Sequence, residues 1–285
     1  MVSERTDPAS RDFAIRYEAA VHGVPSSART AYLWVPVPPA TSDQTIHALT
    51  VETSLPYEEV TEPRYGNRAL RFALLPGSET QHVALEIELT RHERIRPPTA
   101  KSRPDESIPA MDPALWLGPD RRVPIDDQVR EWAEETVAGK VRPLDKARAI
   151  YDYAVTELKY DKCGTGWGNG DIYWACDAKR GNCTDFHALF IGLNRAVGVP
   201  ARFEMGFPIP SDRPTGTIGG YHCWAQFHLP EAGWVPVDAS EANKRPDKRQ
   251  YFFGAHDENR VLFTVGRDLQ FDGMEVEPLN FFIYP

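Results

Sequence analysis

The hydrophobic pattern of this chain changes its period once, and the change divides the sequence into two parts. Between Phe13 and Val21, apolar residues alternate with mostly polar ones, and a period of two places one apolar row on a single face of a β-strand. Similar segments follow, separated by turn-rich stretches, at 31–37, 45–53, 68–75 and 83–89. We therefore predict that residues 1–95 form an antiparallel β-sandwich domain.

A proline-rich polar stretch follows this first part. It contains five prolines, at positions 97, 98, 104, 109 and 113, and such a composition favours an extended, semi-rigid connector. We therefore place a linker at residues 96–113. Two domains also agree with a length of 285 residues, at roughly 100–200 residues per domain.

Beyond the linker, apolar residues recur at three- and four-residue spacing, which is the pattern of amphipathic helices. The spacing predicts helices over 129–137, after Pro143, and from Phe186 to Val197. Strand patterns then resume at 201–207, 221–229 and 234–238. Helices followed by antiparallel strands predict an α+β domain over residues 114–285.

The composition argues against two classes of partner. With 41% hydrophobic and 26% charged residues, the chain is typical of a soluble globular protein. It has no apolar run near the roughly 20 residues of a membrane span, so we expect no membrane partner. A net charge of -9 opposes binding to nucleic acid, because phosphate contacts need a cationic surface.

The beginning of the chain bears on location. Its first residues lack the cationic and apolar segments of a secretory signal, which favours a cytoplasmic location. A periplasmic or secreted location stays open if a leader has been removed. The sequence leaves the oligomeric state undetermined.

Four cysteines lie close together in the second part, between residues 163 and 223. One of them, Cys183, follows Asn182, which can cap a helix, while Asp185 lies at the position of the reciprocal cap. The positive end of a helix favours the thiolate, which is the nucleophilic form of cysteine. Cys183 is therefore the candidate nucleophile, although a lone cysteine is more often a small buried hydrophobe.

A base and an orienting acid follow. His222 comes after two glycines at the head of one predicted strand, and Asp238 ends the next predicted strand. A cysteine nucleophile needs a base, and that base needs a third group to hold its tautomer. Cys183, His222 and Asp238 are thus a candidate catalytic triad, although Asp238 fits equally well as a strand-end turn residue.

The neighbouring cysteine and histidines have simpler interpretations. Strand alternation places Cys223 on the face opposite His222, so we interpret Cys223 as a packing residue. His187 lies one helical turn beyond Cys183, and His228 lies near a strand end. We interpret both histidines as structural.

Two segments, GNCTDFHALFIGLNRAVGVPAR and YHCWAQFHLPEAGWVPVDAS, resemble the core of the transglutaminase-like superfamily, over about residues 125–245. The resemblance implies a papain-like α+β fold of helices packed on an antiparallel sheet. It also implies that Cys183, His222 and Asp238 perform acyl transfer on peptide or side-chain amides through a thioester, without a cofactor. The expected substrate is a protein or peptide, and hydrolysis by a peptidase or amidase is favoured over cross-linking.

The oxyanion donors are less well defined by the sequence. The backbone N–H of Cys183 is the natural first donor. Papain relatives supply a second donor from a glutamine shortly before the cysteine, but this chain has none between Gln128 and Gln226. Transglutaminases use a tryptophan indole instead, and by that resemblance Trp167 and Trp174 are the candidates. Core packing is the commoner role for either one, and Trp167, which lies between glycines, is favoured as the donor.

Two other functions are considered. A zinc site could use Cys163, Cys176, Cys183 and His187, but only the spacing from Cys183 to His187 is typical of zinc ligands, so we expect no metal. Whether Cys163 and Cys176 pair is left open. The second alternative is a catalytically silent domain that binds protein partners.

Overall fold

The structure is a computed structural model that describes residues 8–99 and 112–285. Its N-terminal part consists of two three-stranded antiparallel sheets, with strand orders β1-β6-β3 and β2-β5-β4. Their bounds are β1 (Ser10–His22), β2 (Tyr32–Val37), β3 (Gln44–Glu52), β4 (Tyr57–Thr61), β5 (Arg68–Ala73) and β6 (Thr80–His92).

The alternation seen in the sequence directs apolar side chains between these sheets. Ile15 on β1 pairs with Ile87 on β6, and both are buried together with Val35 and Phe72 of the other sheet. The sequence analysis did not predict β4, because most of its side chains are exposed and show no apolar alternation. The β-sandwich architecture itself is confirmed.

The second part contains six helices among the described residues, of which α5 is central. Every residue from Cys183 to Arg195 on α5 is buried, because the helix packs against α2, α3 and α4 and against the sheet. The helix bounds are α1 (Pro113–Leu117), α2 (Asp127–Thr136), α3 (Pro143–Glu157), α4 (Ile172–Ala178), α5 (Cys183–Ala196) and α6 (Ala239–Lys244). The three longest, α2, α3 and α5, are those that the periodicity predicts.

A four-stranded antiparallel sheet lies against α5, with the order β12-β11-β10-β14. Two short pairs complete the fold: β7 with β13, which is antiparallel, and β8 with β9, which is parallel. The remaining bounds are β7 (Arg94–Ile95), β8 (Lys159–Tyr160), β9 (Arg180–Gly181), β10 (Ala201–Pro208), β11 (His222–Leu229), β12 (Gly233–Val237), β13 (Ala255–His256) and β14 (Arg260–Val265).

The two parts share a core. One cluster of buried apolar side chains contains Ile15 and Leu85 from the N-terminal sheets and Phe190 and Phe263 from the second part. The α+β class is thus confirmed, whereas the division into residues 1–95, 96–113 and 114–285 stays a prediction. Residues 100–111 of the predicted linker lie outside the described residues. Within 8–99 and 112–285, no helix combines the length and apolar character needed to cross a membrane.

Candidate active site

Helix α5 begins at Cys183, and a reciprocal cap fixes its first turn. The Asn182 side chain accepts a hydrogen bond from the Thr184 N–H at 2.9 Å, and the Asp185 carboxylate accepts one from the Asn182 N–H at 2.9 Å. In the part of the chain that the structure describes, no group accepts a hydrogen bond from the Cys183 N–H. This N–H is therefore available to a developing oxyanion.

Asp185 also ties a glycine-rich loop to the start of α5. Its Oδ2 accepts a hydrogen bond from the Gly168 N–H at 2.8 Å, and its Oδ1 accepts one from the Gly170 N–H at 3.0 Å. Gly181 leaves the space for this carboxylate, because a Cβ at Gly181 would lie 2.3 Å from Asp185 Oδ2. The loop that carries Trp167 is thereby held beside Cys183.

Trp167 does not offer a free indole N–H in this arrangement. Its Nε1 donates a hydrogen bond to the Gly164 carbonyl at 3.0 Å, so an oxyanion would have to replace that acceptor. The oxyanion role of Trp167 stays a prediction, and the Cys183 N–H is the better placed donor.

The base and the acid lie on neighbouring antiparallel strands. Ala225 on β11 is opposite Val237 on β12, so the next residue, Asp238, is level with Trp224 and on the same face as His222. His222 Nε2 and Asp238 Oδ2 are 2.7 Å apart, and both side chains are buried. The bond leaves the other ring nitrogen, Nδ1, for a second partner.

Cys183 and His222 influence each other's protonation. Burial by itself raises the pKa of the Cys183 thiol, but hydrogen bonding by Cys223 and His222, with the charge of His222, lowers it well below its ordinary value. Burial likewise disfavours a charged His222, but the Asp238 carboxylate and the Cys183 sulfur raise the pKa of His222 to about 10. The site therefore favours a thiolate beside an imidazolium.

The sequence analysis missed Arg260, which binds the orienting acid. The Arg260 guanidinium is buried and its Nη1 donates a hydrogen bond to Asp238 Oδ2 at 3.0 Å. The other carboxylate oxygen accepts from the Ser240 hydroxyl at 3.0 Å and the Glu241 N–H at 2.9 Å. Burial works against ionisation of Asp238, but His222 and Arg260 hold its pKa well below the ordinary value. Asp238 is thus fixed as an anion.

Cys223 and His187 are also closer to the site than the sequence suggests. His187 Nε2 accepts a hydrogen bond from the Ala239 N–H at 3.2 Å, so its proton lies on Nδ1, which is 3.6 Å from the Cys223 sulfur. Burial lowers the pKa of His187 and raises that of Cys223. Both therefore stay neutral, with the Cys223 thiol placed to donate to the Cys183 thiolate.

This placement adds to the interpretation of two residues. Cys223 is buried in the core, as expected of a packing residue, and its side chain also interacts with Cys183. His187 lies with its Nε2 3.7 Å from Asp238 Oδ1. His228, in contrast, packs edge-on against Trp234 with the ring centroids 5.2 Å apart, which fits the structural interpretation.

The four proposed zinc ligands do not come together. Cys163 is exposed and Cys176 is half-buried, whereas Cys183 is buried. Over residues 8–99 and 112–285, no group of three or more histidine, cysteine, aspartate or glutamate side chains could hold a metal ion. All four cysteines are free thiols, so Cys163 and Cys176 are not paired in this structure.

A cleft of about 340 Å³ gives access to His222. Apolar residues Pro208, Ile209 and Ile218 line one part of it, and Glu241 and Arg245 contribute charged groups. The base is thus reachable from solvent although its ring is buried. A cleft of this size accommodates a side chain or a short stretch of peptide.

The site residues lie in a segment that resembles a known protein family. Residues 130–239 match the family model of the transglutaminase-like superfamily, and the match includes Cys183, His222 and Asp238. These residues are similar to the core of the transglutaminase-like superfamily. This similarity supports a cysteine-dependent enzyme in general.

Two proteins of similar sequence and one solved structure extend the comparison. An uncharacterized protein of Haemophilus influenzae is 28% identical over 293 residues, which cover 89% of this chain and 79% of that protein. Protein YebA of Bacillus subtilis is 23% identical over 136 residues, 43% of this chain and 18% of YebA. The crystal structure of a candidate cysteine protease from Cytophaga hutchinsonii aligns with a TM-score of 0.62 and 16% identity, covering 96% of this chain and 94% of that one. It shows that the fold is shared along nearly the whole chain.

Proposed function

We propose that this protein is a cysteine-dependent peptidase or amidase that cleaves peptide or side-chain amides through a thioester. The observation that carries the proposal is the 2.7 Å contact between His222 Nε2 and the buried Asp238 carboxylate. It leaves Nδ1 of His222 for the Cys183 sulfur, which is the arrangement that a cysteine nucleophile requires.

The reaction can be followed from these groups. The Cys183 thiolate attacks the amide carbonyl carbon, and the oxyanion accepts a hydrogen bond from the Cys183 N–H. The C–N bond breaks as the imidazolium of His222 transfers its proton to the leaving amine. Water then attacks the thioester and gives a proton to His222, which releases a carboxylic acid and restores the thiolate.

Mass spectrometry of products distinguishes hydrolysis from transfer. The protein is incubated with a peptide library, with and without a primary amine. Hydrolysis yields acids in both samples, whereas cross-linking yields amine adducts when the amine is present. Products that form with Cys183→Ala as well as with the wild type would contradict the proposal, and amine adducts in place of acids would contradict its hydrolytic part.

Cys183 should be the first cysteine to react with limiting iodoacetamide at neutral pH. The pKa of Cys183 is lowered, whereas hydrogen bonding to the Asp161 carboxylate raises the pKa of Cys163, and burial raises that of Cys176 to about 12. Because the thiolate is the reacting form, alkylation favours Cys183 even though it is buried. Peptide mapping measures the order, and earlier labelling of Cys163 or Cys223 would contradict the assignment.

The pH profile of kcat/KM should remain high on the alkaline side until about pH 10. His222 must carry a proton to give to the leaving amine, and its pKa is raised to about 10. Activity is therefore lost as pH rises through that value, and it is lost on the acid side when Cys183 is protonated. Initial rates across pH measure this. An alkaline limb near the ordinary histidine value of about 6.5 would show that Asp238 does not raise the His222 pKa.

A further inference from the structure

A second cavity, of about 450 Å³, lies between the N-terminal sheets and the four-stranded sheet. Asp43 and Arg91 line it from the N-terminal part, Trp116 from α1, and Gln226 and Phe263 from β11 and β14. None of Cys183, His222 and Asp238 lines this cavity. Its volume is in the usual range for small-molecule sites, about 300–1,000 Å³.

Arg91 lines the cavity, and two of its buried hydrogen-bond donors have no acceptor. The residue is 1% exposed, and its Nη2 pairs with Asp43 Oδ2 at 2.6 Å. Within the described part of the chain, its Nε and Nη1 have no hydrogen-bond partner. A buried guanidinium with unsatisfied N–H groups costs free energy, and an anion would supply the missing acceptors.

Asp43 does not accept hydrogen bonds from these two Arg91 donors. Its Oδ1 is already an acceptor for the Arg94 Nη1 at 3.2 Å and for the Thr41 hydroxyl at 3.1 Å. One carboxylate is therefore shared by two guanidinium groups. Within residues 8–99 and 112–285 no other oxygen reaches these donors, so a molecule in the cavity would complete the hydrogen bonding of Arg91.

Gln226 supplies an unpaired hydrogen-bond acceptor. Its Nε2 donates to Glu204 Oε1 at 2.5 Å, and this bond fixes the orientation of the amide because a carboxylate accepts only from the NH₂ group. Its Oε1 is buried and has no hydrogen-bond partner in the described residues. The cavity thus also has an acceptor that a ligand N–H or O–H would satisfy.

Apolar side chains form the rest of the wall. Trp116, Leu262 and Phe263 line the cavity and are buried, so a ligand with an apolar side chain would gain from leaving water. Gln226 lies on β11, the strand that begins at His222. The cavity is therefore next to the catalytic strand without being part of the cleft at His222.

We propose that this cavity binds a small carboxylate that also carries an N–H donor and an apolar side chain, as the C-terminal residue of an apolar peptide does. The carboxylate accepts from one of the two unpaired Arg91 donors, Nε or Nη1, the N–H meets Gln226 Oε1, and the side chain lies against Trp116 and its apolar neighbours. This proposal does not depend on the chemistry of Cys183.

Calorimetric titration of the full chain with two matched probes tests whether the cavity binds a carboxylate. N-acetyl-L-leucine has all three groups, and N-acetyl-L-leucinamide lacks only the carboxylate. The acid should bind with one site per chain and the amide roughly tenfold or more weakly, because charge-assisted hydrogen bonds are lost. Equal binding of both probes, or no binding of the acid at millimolar concentration, would mean that no carboxylate site exists and that water fills the cavity.

Two variants locate the binding. Arg91→Lys keeps the charge beside Asp43 but lacks the Nε and Nη1 donors, so it should weaken binding of the acid roughly tenfold. Circular dichroism confirms that this variant is folded. Cys183→Ala should bind the acid as the wild type does. Undiminished binding to Arg91→Lys, or lost binding to Cys183→Ala, would overturn the proposal. If Arg91→Lys does not fold, unchanged Arg91 Nε–H and Nη–H resonances in wild-type protein on adding the acid would overturn it.

Discussion

Cys183→Ala should abolish turnover of every amide substrate, which is the largest single effect that we expect. The thioester forms on the Cys183 sulfur, and none of the remaining thiols can replace it. The Cys223 thiol interacts with Cys183, but burial and the nearby Cys183 raise the pKa of Cys223 well above its ordinary value. It therefore stays protonated and is a poor nucleophile.

Product release measured by mass spectrometry checks this result, with matched cysteine variants as controls. Cys163→Ala alters an exposed cysteine and Cys176→Ala a half-buried one, so both should keep wild-type turnover. Cys223→Ala is informative in a different way, because it removes a donor to the thiolate and should slow the alkylation of Cys183 at neutral pH. Wild-type turnover by Cys183→Ala would show that the chemistry lies elsewhere.

Local pattern was sufficient to predict the elements that carry the candidate triad. Helix α5 has a capping residue, an acidic partner three residues later and an apolar face that recurs at helical spacing, so its start at Cys183 could be placed to the residue. The strand bearing His222 shows the same agreement of pattern and structure. The sequence analysis did not predict β14, a strand of six residues of which five are buried.

The contacts around the triad could not be predicted in the same way. Arg260 reaches Asp238 across 22 residues of sequence, and Cys223 reaches His187 across 36. Alternation indicates which face of a strand a residue occupies, but not which helix covers that face. The face assigned to packing at Cys223 is covered by α5, and α5 carries Cys183.

The second large effect is expected from Asp238→Asn, which should lower kcat/KM by about 10²–10⁴-fold. Asp238 holds the tautomer of His222 and stabilises its charged form, so its loss acts mainly on the chemical step. If the NH₂ of the asparagine side chain faces His222 Nε2–H, two donors oppose each other; in either orientation, the negative charge beside His222 is lost. The pKa of His222 should fall, and alkylation of Cys183 at neutral pH should slow in parallel.

The structure adds a second consequence of this substitution. Arg260 is buried beside Asp238, and removing one charge of such a pair can cost up to about 3–5 kcal/mol. Denaturant unfolding of Asp238→Asn measures that cost, so that lost stability is not mistaken for lost catalysis. Rates should be taken at temperatures where circular dichroism shows the variant to be folded.

A double-mutant comparison shows whether Asp238 acts through His222. If the two residues work as one unit, Asp238→Asn combined with His222→Ala should cost little more in kcat/KM than His222→Ala alone. Additive losses would instead assign Asp238 a separate role, such as capping α6 through its contact with the Glu241 N–H. Near-normal turnover by Asp238→Asn would have the same meaning, because the 2.7 Å contact with His222 would then be structural only.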